Sequence, residues 1–360
     1  MMTLSLRLKL LRARNASRGA INSIRLTSAY IWEIVEHSTP RKVGNALVAK
    51  AQKWLRRDVA WGMPFRYTID PLNVCNLRCP LCPTGLGTLK RERGKMTLTD
   101  YQTIIDQIAP YAYRVELYNW GEPFLHPQIF DMIQYASQRR IAVRLSSNLN
   151  LFNTDMAEKT VASGLDWIIV DVDGATQESY QKYRKRGELA KVLTNIRLLA
   201  DAKRRLRSHK PYIVARVLVN RYNEHEIGQI ERIARQSGAD AFTAGTLFID
   251  TKSKAQVEEW LPLNEKLSYY TYSAPLANVW HCADLWESLT INWDGGMAPC
   301  CWLHDKAHDF ENALARPIRE IWNGEAYVSS RRVFAPGGQK EGPQRTICTK
   351  CRGRPEYLDW

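Results

Sequence analysis

Apolar and polar positions follow two alternating periods along this chain from about residue 63 onward. Short runs rich in β-branched and aromatic residues, typical of strands, lie at 65–70, 114–120, 142–148, 166–174, 212–220 and 240–249. Between them, apolar residues recur at helical spacing, as in Ile129, Met132, Ile133 and Ala136. Thr97 and Asn153 are predicted to cap two of these helices. Six strands with intervening helices predict a parallel sheet with right-handed crossovers, either open or curled into a barrel.

The alternation of strands and helices stops near residue 250, and this change divides the chain. We predict a basic helical segment over 1–62, an α/β core over 63–250, a connector over 251–280 and a small cysteine-rich domain over 281–360. Within the last segment, Asp294-Gly295 stands between two strand-like runs and predicts a hairpin turn.

The net charge of +14 in 360 residues is concentrated near the start of the chain. Residues 1–60 hold twelve Lys or Arg against three Asp or Glu. A solvated basic helix is the favoured interpretation. A helix at the membrane surface is the second, because leucines alternate with the basic residues of the first 15 positions.

The location of the protein follows from its apolar runs. None approaches the ~18–20 residues of a membrane span. Basic residues interrupt the leading apolar run, which argues against a signal peptide. We therefore expect a cytoplasmic protein, with peripheral contact to a membrane through residues 1–60 as the alternative location.

The eight cysteines fall in groups, and this grouping favours metal binding. They are Cys75, Cys79, Cys82, Cys282, Cys300, Cys301, Cys348 and Cys351. Disulfide-stapled secreted proteins carry a higher density of cysteine, whereas grouped cysteines in a reducing compartment are typical of metal ligands.

The first group, Cys75-x3-Cys79-x2-Cys82, offers three thiolates with no fourth cysteine or histidine nearby. A structural zinc site normally has four protein ligands. Three ligands are instead typical of an iron–sulfur cluster with one iron left open for a molecule that is not protein.

The loop CNLRCPLC after the first predicted strand resembles the signature of the radical S-adenosylmethionine (radical SAM) superfamily. This resemblance implies a 4Fe–4S cluster on Cys75, Cys79 and Cys82, with SAM bound at the open iron. It also implies a partial (β/α)6 barrel and reductive cleavage of SAM to a 5′-deoxyadenosyl radical that abstracts a substrate hydrogen. Leu81 stands where the family usually has an aromatic residue, and leucine still supplies an apolar contact.

Three further segments follow predicted strands and resemble the SAM-binding motifs of the family. The resemblance implies cofactor contacts for Gly121, Glu122, Pro123, Ser147, Asn148, Asp173 and Arg184. In such proteins the GEP backbone receives the SAM amino group, the strand-end polar pair meets the ribose, and the arginine pairs with the SAM carboxylate. Turn chemistry at Glu122 and Asn148, and a solvated helix arginine at Arg184, are the alternatives.

The C-terminal cysteines resemble the auxiliary-cluster region of the SPASM/twitch branch of radical SAM enzymes. The segments WDGG, PCC and CTKC, in this order along the chain, carry this resemblance. It implies a single auxiliary iron–sulfur cluster, which we expect to be 4Fe–4S, on Cys282, Cys300, Cys348 and Cys351. Four ligands would fill such a cluster, so it would move electrons or support the fold. A zinc ribbon is the alternative for the same four cysteines.

Cys301 is left over when seven cysteines are assigned. It is a buried spectator, a replacement for Cys300 as ligand, or a candidate catalytic residue that donates a hydrogen atom to a substrate radical. His281 and His304 flank the cluster cysteines and are predicted to surround a cluster or lie at the surface, without binding the metal.

The leading hypothesis is a radical SAM enzyme, an oxidoreductase or isomerase that catalyses oxidation, epimerisation or bond formation. The resemblance implies SAM, a small-molecule or peptide substrate, and flavodoxin or ferredoxin as reductant. A small molecule is favoured, because the 62 residues before the barrel are short for a peptide-clamping domain.

A basic iron–sulfur protein that binds nucleic acid is one alternative function, although no nucleic-acid module is recognised and we expect no specific nucleic-acid partner. A non-enzymatic electron carrier is another, and it leaves the open cluster unexplained.

Overall fold

A computed structural model of the chain describes residues 24–247, 249, 253–264, 267, 282–335 and 346–350. Cys351, His281 and the leucine-rich start of the chain lie outside these residues. None of the helices in the described residues is long and apolar enough to cross a membrane.

Nine strands form one sheet in the order β6-β5-β4-β3-β2-β1-β7-β8-β9. The strands are β1 (Arg66–Ile69), β2 (Arg114–Glu116), β3 (Ala142–Ser147), β4 (Trp167–Asp171), β5 (Tyr212–Val219), β6 (Ala241–Thr246), β7 (Ser288–Ile291), β8 (Gly296–Ala298) and β9 (Glu311–Asn312). The first six are parallel and adjacent in chain order, as predicted. β2 ends earlier than predicted, because the chain turns so that the Trp120 amide donates to Asp70 at 3.3 Å.

In the described residues, helices lie before, between and after these strands, and those between β1 and β6 in the chain connect the parallel strands. They are α1 (24–37), α2 (Pro40–Trp54), α3 (Pro83–Leu86), α4 (Leu98–Ile108), α5 (Ile129–Gln138), α6 (Thr154–Ala162), α7 (Gln177–Tyr183), α8 (Leu189–Arg205), α9 (Ile227–Gln236), α10 (Lys254–Trp260), α11 (Asp284–Glu287), α12 (Ile318–Trp322) and α13 (Glu325–Val333). Both predicted caps are confirmed: Thr97 accepts from the Asp100 amide, and Asn153 accepts from the Met156 amide.

The two faces of the parallel sheet differ in polarity. On the face that packs against the connecting helices, the side chains of Val115, Val143 and Ile168 are fully buried in the main core. Residues on the opposite face include Glu116 and Arg144, which are paired across β2 and β3. Because side chains alternate between faces, burial of the apolar set fixes the register and leaves the other face polar.

The C-terminal region continues the same sheet. β7 pairs with β1 in parallel, with Leu289 opposite Tyr67, and β8 and β9 follow antiparallel. Gly295, with φ of 81°, occupies the turn between β7 and β8, so the predicted hairpin is confirmed. In the described residues, the predicted cysteine-rich domain is therefore hydrogen-bonded to the core through β1.

A buried arginine joins the hairpin to the segment that follows the cysteine loop. Both oxygens of Asp294 and both oxygens of Asp309 accept hydrogen bonds from Arg91, at 2.6–2.7 Å. Trp293 packs against Gly94, where an added Cβ would lie 2.3 Å from the indole ring. These contacts set the position of the hairpin relative to the cysteine loop.

The described part of the predicted connector includes a helix that packs on the core. α10 ends at Trp260, which is buried and meets the rings of Tyr183 and Tyr222 edge to face at 5.8 and 5.4 Å. This helix therefore lies close to α7 and to the residues that follow β5.

Candidate cofactor site

The three cysteines of the CNLRCPLC loop lie between the end of β1 and the start of α3. Cys79 is buried, and Cys75 and Cys82 are half-buried. The Cys82 amide donates to the Cys79 carbonyl at 3.2 Å, which makes a tight turn directly before α3. Gly85 contacts this turn so closely that an added Cβ would lie 2.5 Å from the Cys79 carbonyl oxygen. Glycine is therefore required for this close approach.

Hydrogen bonds hold this loop against the carboxyl end of the sheet. The Glu122 amide, which follows β2, donates to the carbonyl of Val74 at 2.9 Å. The hydroxyl of Thr84 donates to the carbonyl of Trp120 at 2.6 Å. Parallel α/β folds place their ligand sites at this end of the strands.

An apolar cluster packs against the cysteine loop. Its buried members are Leu77, Cys79, Leu81, Tyr183, Leu247, Ile249, Trp260 and Leu261. Leu81, which replaces the aromatic residue usual in the resembled family, is 8% exposed and supplies the expected apolar contact.

The electrostatics of the loop suit a positively charged inorganic centre. Burial raises the pKa of the Cys75 thiol to about 12 and that of the Cys79 thiol to about 11. Charge on the neighbouring cysteines raises both pKa values further, so the three thiols lie close enough to interact. A bound cation would replace the thiol protons and stabilise the three thiolates.

The number of thiols favours a cluster over a structural zinc ion. Structural zinc is normally held by four protein ligands, and the loop offers three thiols. Among the described residues, the one group of three ligand atoms within 4.8 Å is Glu36, His37 and Asp166, which includes no cysteine. A donor set of three thiols fits an iron–sulfur cluster with one open iron.

Glu122 braces the ends of β2 and β3. Its buried carboxylate accepts from the Ser147 hydroxyl at 2.7 Å, the Asn148 amide at 2.9 Å and the Phe124 amide at 3.3 Å. Burial raises the pKa of Glu122 to about 7, and the three donors oppose this shift. The side chains of Glu122 and Ser147 are thus engaged within the protein.

Asn148 links the end of β3 to the cysteine loop. Its side-chain nitrogen Nδ2 donates to Asn76 Oδ1 at 2.9 Å and lies 3.8 Å from the Cys75 sulfur. The interpretation of Asn148 as ordinary turn chemistry is therefore incomplete, because its side chain reaches the loop. The sequence did not single out Asn76, although its position between two predicted ligands was the available signal.

Arg184 is buried beside the loop, so the interpretation of it as a solvated helix arginine is wrong. Its Nε donates to Asp173 at 2.5 Å, and its Nη2 lies 2.9 Å from Asp171. Its Nη1 points to the Cys79 sulfur at 3.9 Å. Asp171, which also pairs with Arg216, was not predicted as a site residue. One cation thus connects the carboxylates of Asp171, at the end of β4, and Asp173, just after it, to a cysteine of the loop.

Gly121 gives a test of how tightly these motifs pack. An alanine Cβ at Gly121 would lie 2.1 Å from the Leu72 carbonyl oxygen. We expect Gly121→Ala to lower the free energy of unfolding by about 3 kcal/mol, because the backbone must shift. Urea denaturation measures the change. Gly44→Ala in α2 is the control, because an added Cβ there has no atom within 4 Å. It should raise the free energy of unfolding by about 0.5–1 kcal/mol. Equal effects of the two substitutions would contradict the close contact between Gly121 and Leu72.

Three of the C-terminal cysteines lie near one another. Burial raises the pKa of Cys300 strongly, and the charges of Cys301, Asp284 and Cys348 add to the shift. Burial raises the pKa of Cys301 to about 12, with smaller contributions from Asp284 and Glu116. The carbonyl of Cys301 accepts a hydrogen bond from the Asn119 side chain at 3.3 Å, so Cys301 also lies beside the residues that follow β2.

Cys282, like Cys348, packs partly buried against the main core. His304 lies edge to face with Trp120, with ring centroids 5.3 Å apart. Since Trp120 directly precedes Gly121, this contact connects the C-terminal region to the predicted SAM-binding motif.

Comparison with known protein families identifies both cysteine-containing regions of the chain. Residues 69–234 match the sequence profile of the radical SAM superfamily, and residues 282–352 match that of SPASM, an iron–sulfur cluster-binding domain. Together the two matches span about two thirds of the chain.

Several characterised proteins are similar in sequence. The AdoMet-dependent heme synthase of Methanosarcina barkeri is 27% identical over 47% of this chain and 46% of its own length. A tungsten-containing aldehyde ferredoxin oxidoreductase cofactor-modifying protein of Pyrococcus furiosus is 23% identical over 71% and 79%. A mycofactocin maturase of Mycobacterium ulcerans is 26% identical over 49% and 46%. The chain spans about half the length of the heme synthase and the maturase.

Solved structures share the fold. Streptococcus suis SuiB bound to S-adenosylmethionine superposes with a TM-score of 0.58 at 12% identity, covering 79% of this chain and 70% of SuiB. The anSMEcpe protein bound to AdoMet gives 0.54 at 14% identity, covering 73% and 81%. The predicted partial barrel is confirmed.

A radical SAM domain implies a 4Fe–4S cluster and SAM as cofactors, and a SPASM domain implies an auxiliary iron–sulfur cluster. The chain therefore belongs to the radical SAM superfamily and carries a C-terminal SPASM domain.

Proposed function

We propose that this protein cleaves SAM reductively and uses the resulting radical to abstract hydrogen from a substrate. The observation that carries the proposal is the set of three buried or half-buried thiols in a loop that offers no fourth thiol. A 4Fe–4S cluster held there by Cys75, Cys79 and Cys82 would supply the one electron that converts the sulfonium of SAM into methionine and a 5′-deoxyadenosyl radical.

The residues around the loop would hold the cofactors in place. Cys75, Cys79 and Cys82 are the proposed cluster ligands. We assign SAM contacts to the backbone of Gly121–Pro123 and to the ends of β3 and β4 at Ser147, Asn148 and Asp173. Arg184 would offer Nη1 to the SAM carboxylate, since its other nitrogens are held by Asp171 and Asp173.

The C-terminal cysteines would hold the auxiliary cluster. Cys282, Cys300, Cys348 and Cys351 are the proposed ligands, and the SPASM match supports an iron–sulfur cluster in place of zinc. Cys301 is proposed as a hydrogen donor, because its carbonyl accepts from the Asn119 side chain at 3.3 Å, which holds it beside the segment that leads from β2 to Gly121.

The substrate of this reaction would be a small molecule or a peptide. The related proteins are a heme synthase and a mycofactocin maturase, and SuiB has been solved with a precursor peptide. Reduced flavodoxin or ferredoxin would supply the electron. Oxidation, epimerisation and bond formation are the reaction outcomes to be tested.

The proposed function has a direct test. Anaerobically reconstituted protein, given dithionite and SAM, is expected to release 5′-deoxyadenosine and methionine, as measured by chromatography. An intact cluster, verified by electron paramagnetic resonance, without cleavage of SAM would contradict the proposal.

A further inference from the structure

Helix α1 buries Glu33 and His37 and exposes most of its large apolar side chains. Glu33 and His37 are 6% and 4% exposed. Ile31, Trp32 and Val35 are 55%, 69% and 59% exposed. Surface helices of globular proteins normally show the opposite arrangement, with the apolar stripe against the core.

Salt bridges of Glu33 and a hydrogen bond of His37 explain the burial of these polar groups. Glu33 lies 2.8 Å from Arg144 and 3.5 Å from Arg114, and His37 lies 2.9 Å from Asp166. These partners are near the amino ends of β2, β3 and β4, whereas the cysteine loop lies at the carboxyl ends. Polar contacts therefore attach α1 to the end of the sheet remote from the cofactor site, and its apolar residues are left for another contact.

Helix α2 has the same reversed polarity. Lys42 and Gln52 are almost fully buried, with Lys42 donating to the Arg140 carbonyl at 2.5 Å and Gln52 accepting from the Trp61 and Gly62 amides. Leu47 and Trp54 are 65% and 83% exposed. Two successive helices thus present apolar side chains outward.

The exposed apolar side chains are concentrated in this part of the protein. Of the 20 large apolar residues that are exposed in the described residues, 13 lie between positions 24 and 61. We define the N-terminal apolar surface by its most exposed members, Ile31, Trp32, Val35, Leu47 and Trp54. Apolar exposure concentrated in this way marks an interaction site with another molecule or with a membrane.

The charge of this region distinguishes between the candidate partners. Between positions 24 and 61, the chain carries seven basic against three acidic side chains. A second copy of the chain would bring the same positive charge to the interface, and like charges repel. An anionic bilayer attracts basic residues, and tryptophan is favoured at the level of the lipid headgroups.

We propose that the N-terminal apolar surface binds the headgroup region of an anionic phospholipid bilayer. Ile31, Val35 and Leu47 would enter the acyl boundary, and Trp32 and Trp54 would lie among the headgroups. Exposed basic residues such as Arg25 and Lys50 would contact lipid phosphates. This arrangement holds the cofactor loops away from the lipid.

Vesicle flotation with the full chain tests the proposal. We expect the wild type to float with phosphatidylcholine vesicles that contain phosphatidylglycerol, and to bind pure phosphatidylcholine at least about tenfold more weakly. The double substitution Trp32→Glu/Trp54→Glu should weaken binding to the anionic vesicles by at least about tenfold, since it adds negative charge and removes interfacial rings.

A charge-matched control keeps this test specific. Leu206→Glu/Leu263→Glu changes two exposed leucines outside the surface and should leave binding within about twofold. Equal binding by the two double variants would overturn the proposal, as would absence of wild-type binding. A dimeric wild type made monomeric by the tryptophan substitutions, with no vesicle binding, would assign the surface to a second copy. SAM cleavage without lipid should be equal in both variants, so failure here is distinguishable from failure of the proposed function.

Discussion

Replacing Cys79 with serine is expected to abolish SAM cleavage and to remove the loop cluster from the reconstituted protein. Cys79 is the most buried of the three loop thiols, and Arg184 directs Nη1 to its sulfur. A serine hydroxyl is a poor ligand for iron, so two thiolates would remain for a cluster that needs three. Bound iron should fall from about eight to about four per chain, with the remainder in the C-terminal cluster.

Cys301→Ser is the matched control for this substitution. It changes a half-buried cysteine that the proposal leaves outside both ligand sets, so iron content should stay at the wild-type value. Iron analysis, electron paramagnetic resonance and release of 5′-deoxyadenosine measure the outcome. Full iron content and full cleavage by the Cys79 variant would show that the loop does not hold the catalytic cluster.

Replacing Arg91 with alanine is expected to lower the free energy of unfolding by about 3–5 kcal/mol. The Arg91 side chain is 4% exposed and neutralises Asp294 and Asp309. Burial raises the pKa of Asp309, whereas at Asp294 the charges of Arg91 and Lys306 overcome the effect of burial and hold its pKa below the ordinary value. At neutral pH the variant would therefore keep the negative charge of Asp294 without its main counterion. Because Asp294 and Asp309 position the hairpin that precedes Cys300, retention of the auxiliary cluster should also fall.

Two further variants show whether the lost charge pairing is the cause. Arg93→Ala removes an exposed arginine two positions away and should change stability by less than about 0.5 kcal/mol. Asp294→Asn/Asp309→Asn in the Arg91→Ala background should recover part of the loss, since it removes the unpaired charge. Urea denaturation of the three proteins measures these effects. A loss no larger in the Arg91 variant than in the Arg93 variant would contradict the pairing.

The order of strands and helices in the core could be predicted because each element has a local signal. The period-2 and period-3.6 patterns located all six parallel strands, and the capping side chains of Thr97 and Asn153 located two helix starts. The cysteine loop was recognisable for a similar reason, since its ligands lie within eight residues. The turn at Gly295 was also visible, because Asp-Gly favours a hairpin.

Contacts between distant segments carried no comparable signal. Arg91 lies in a charged run that resembles an ordinary solvated loop, and its two aspartates are more than 200 residues away. The burial of Arg184 could not be separated from the exposure of neighbouring basic residues. The reversed polarity of α1 and α2 was missed, because helical periodicity identifies an apolar face without showing whether that face meets the core.

The pairing of β1 with β7 has a consequence for how the protein is made. Residues 66–69 are synthesised early, but their partner strand at 288–291 follows more than 200 residues later. Until then β1 has one unpaired edge, and such edges are templates for pairing with other chains. Contacts of this sequence separation also slow folding. We therefore expect aggregation during synthesis, and dependence on chaperones, to be greatest before residue 291 leaves the ribosome.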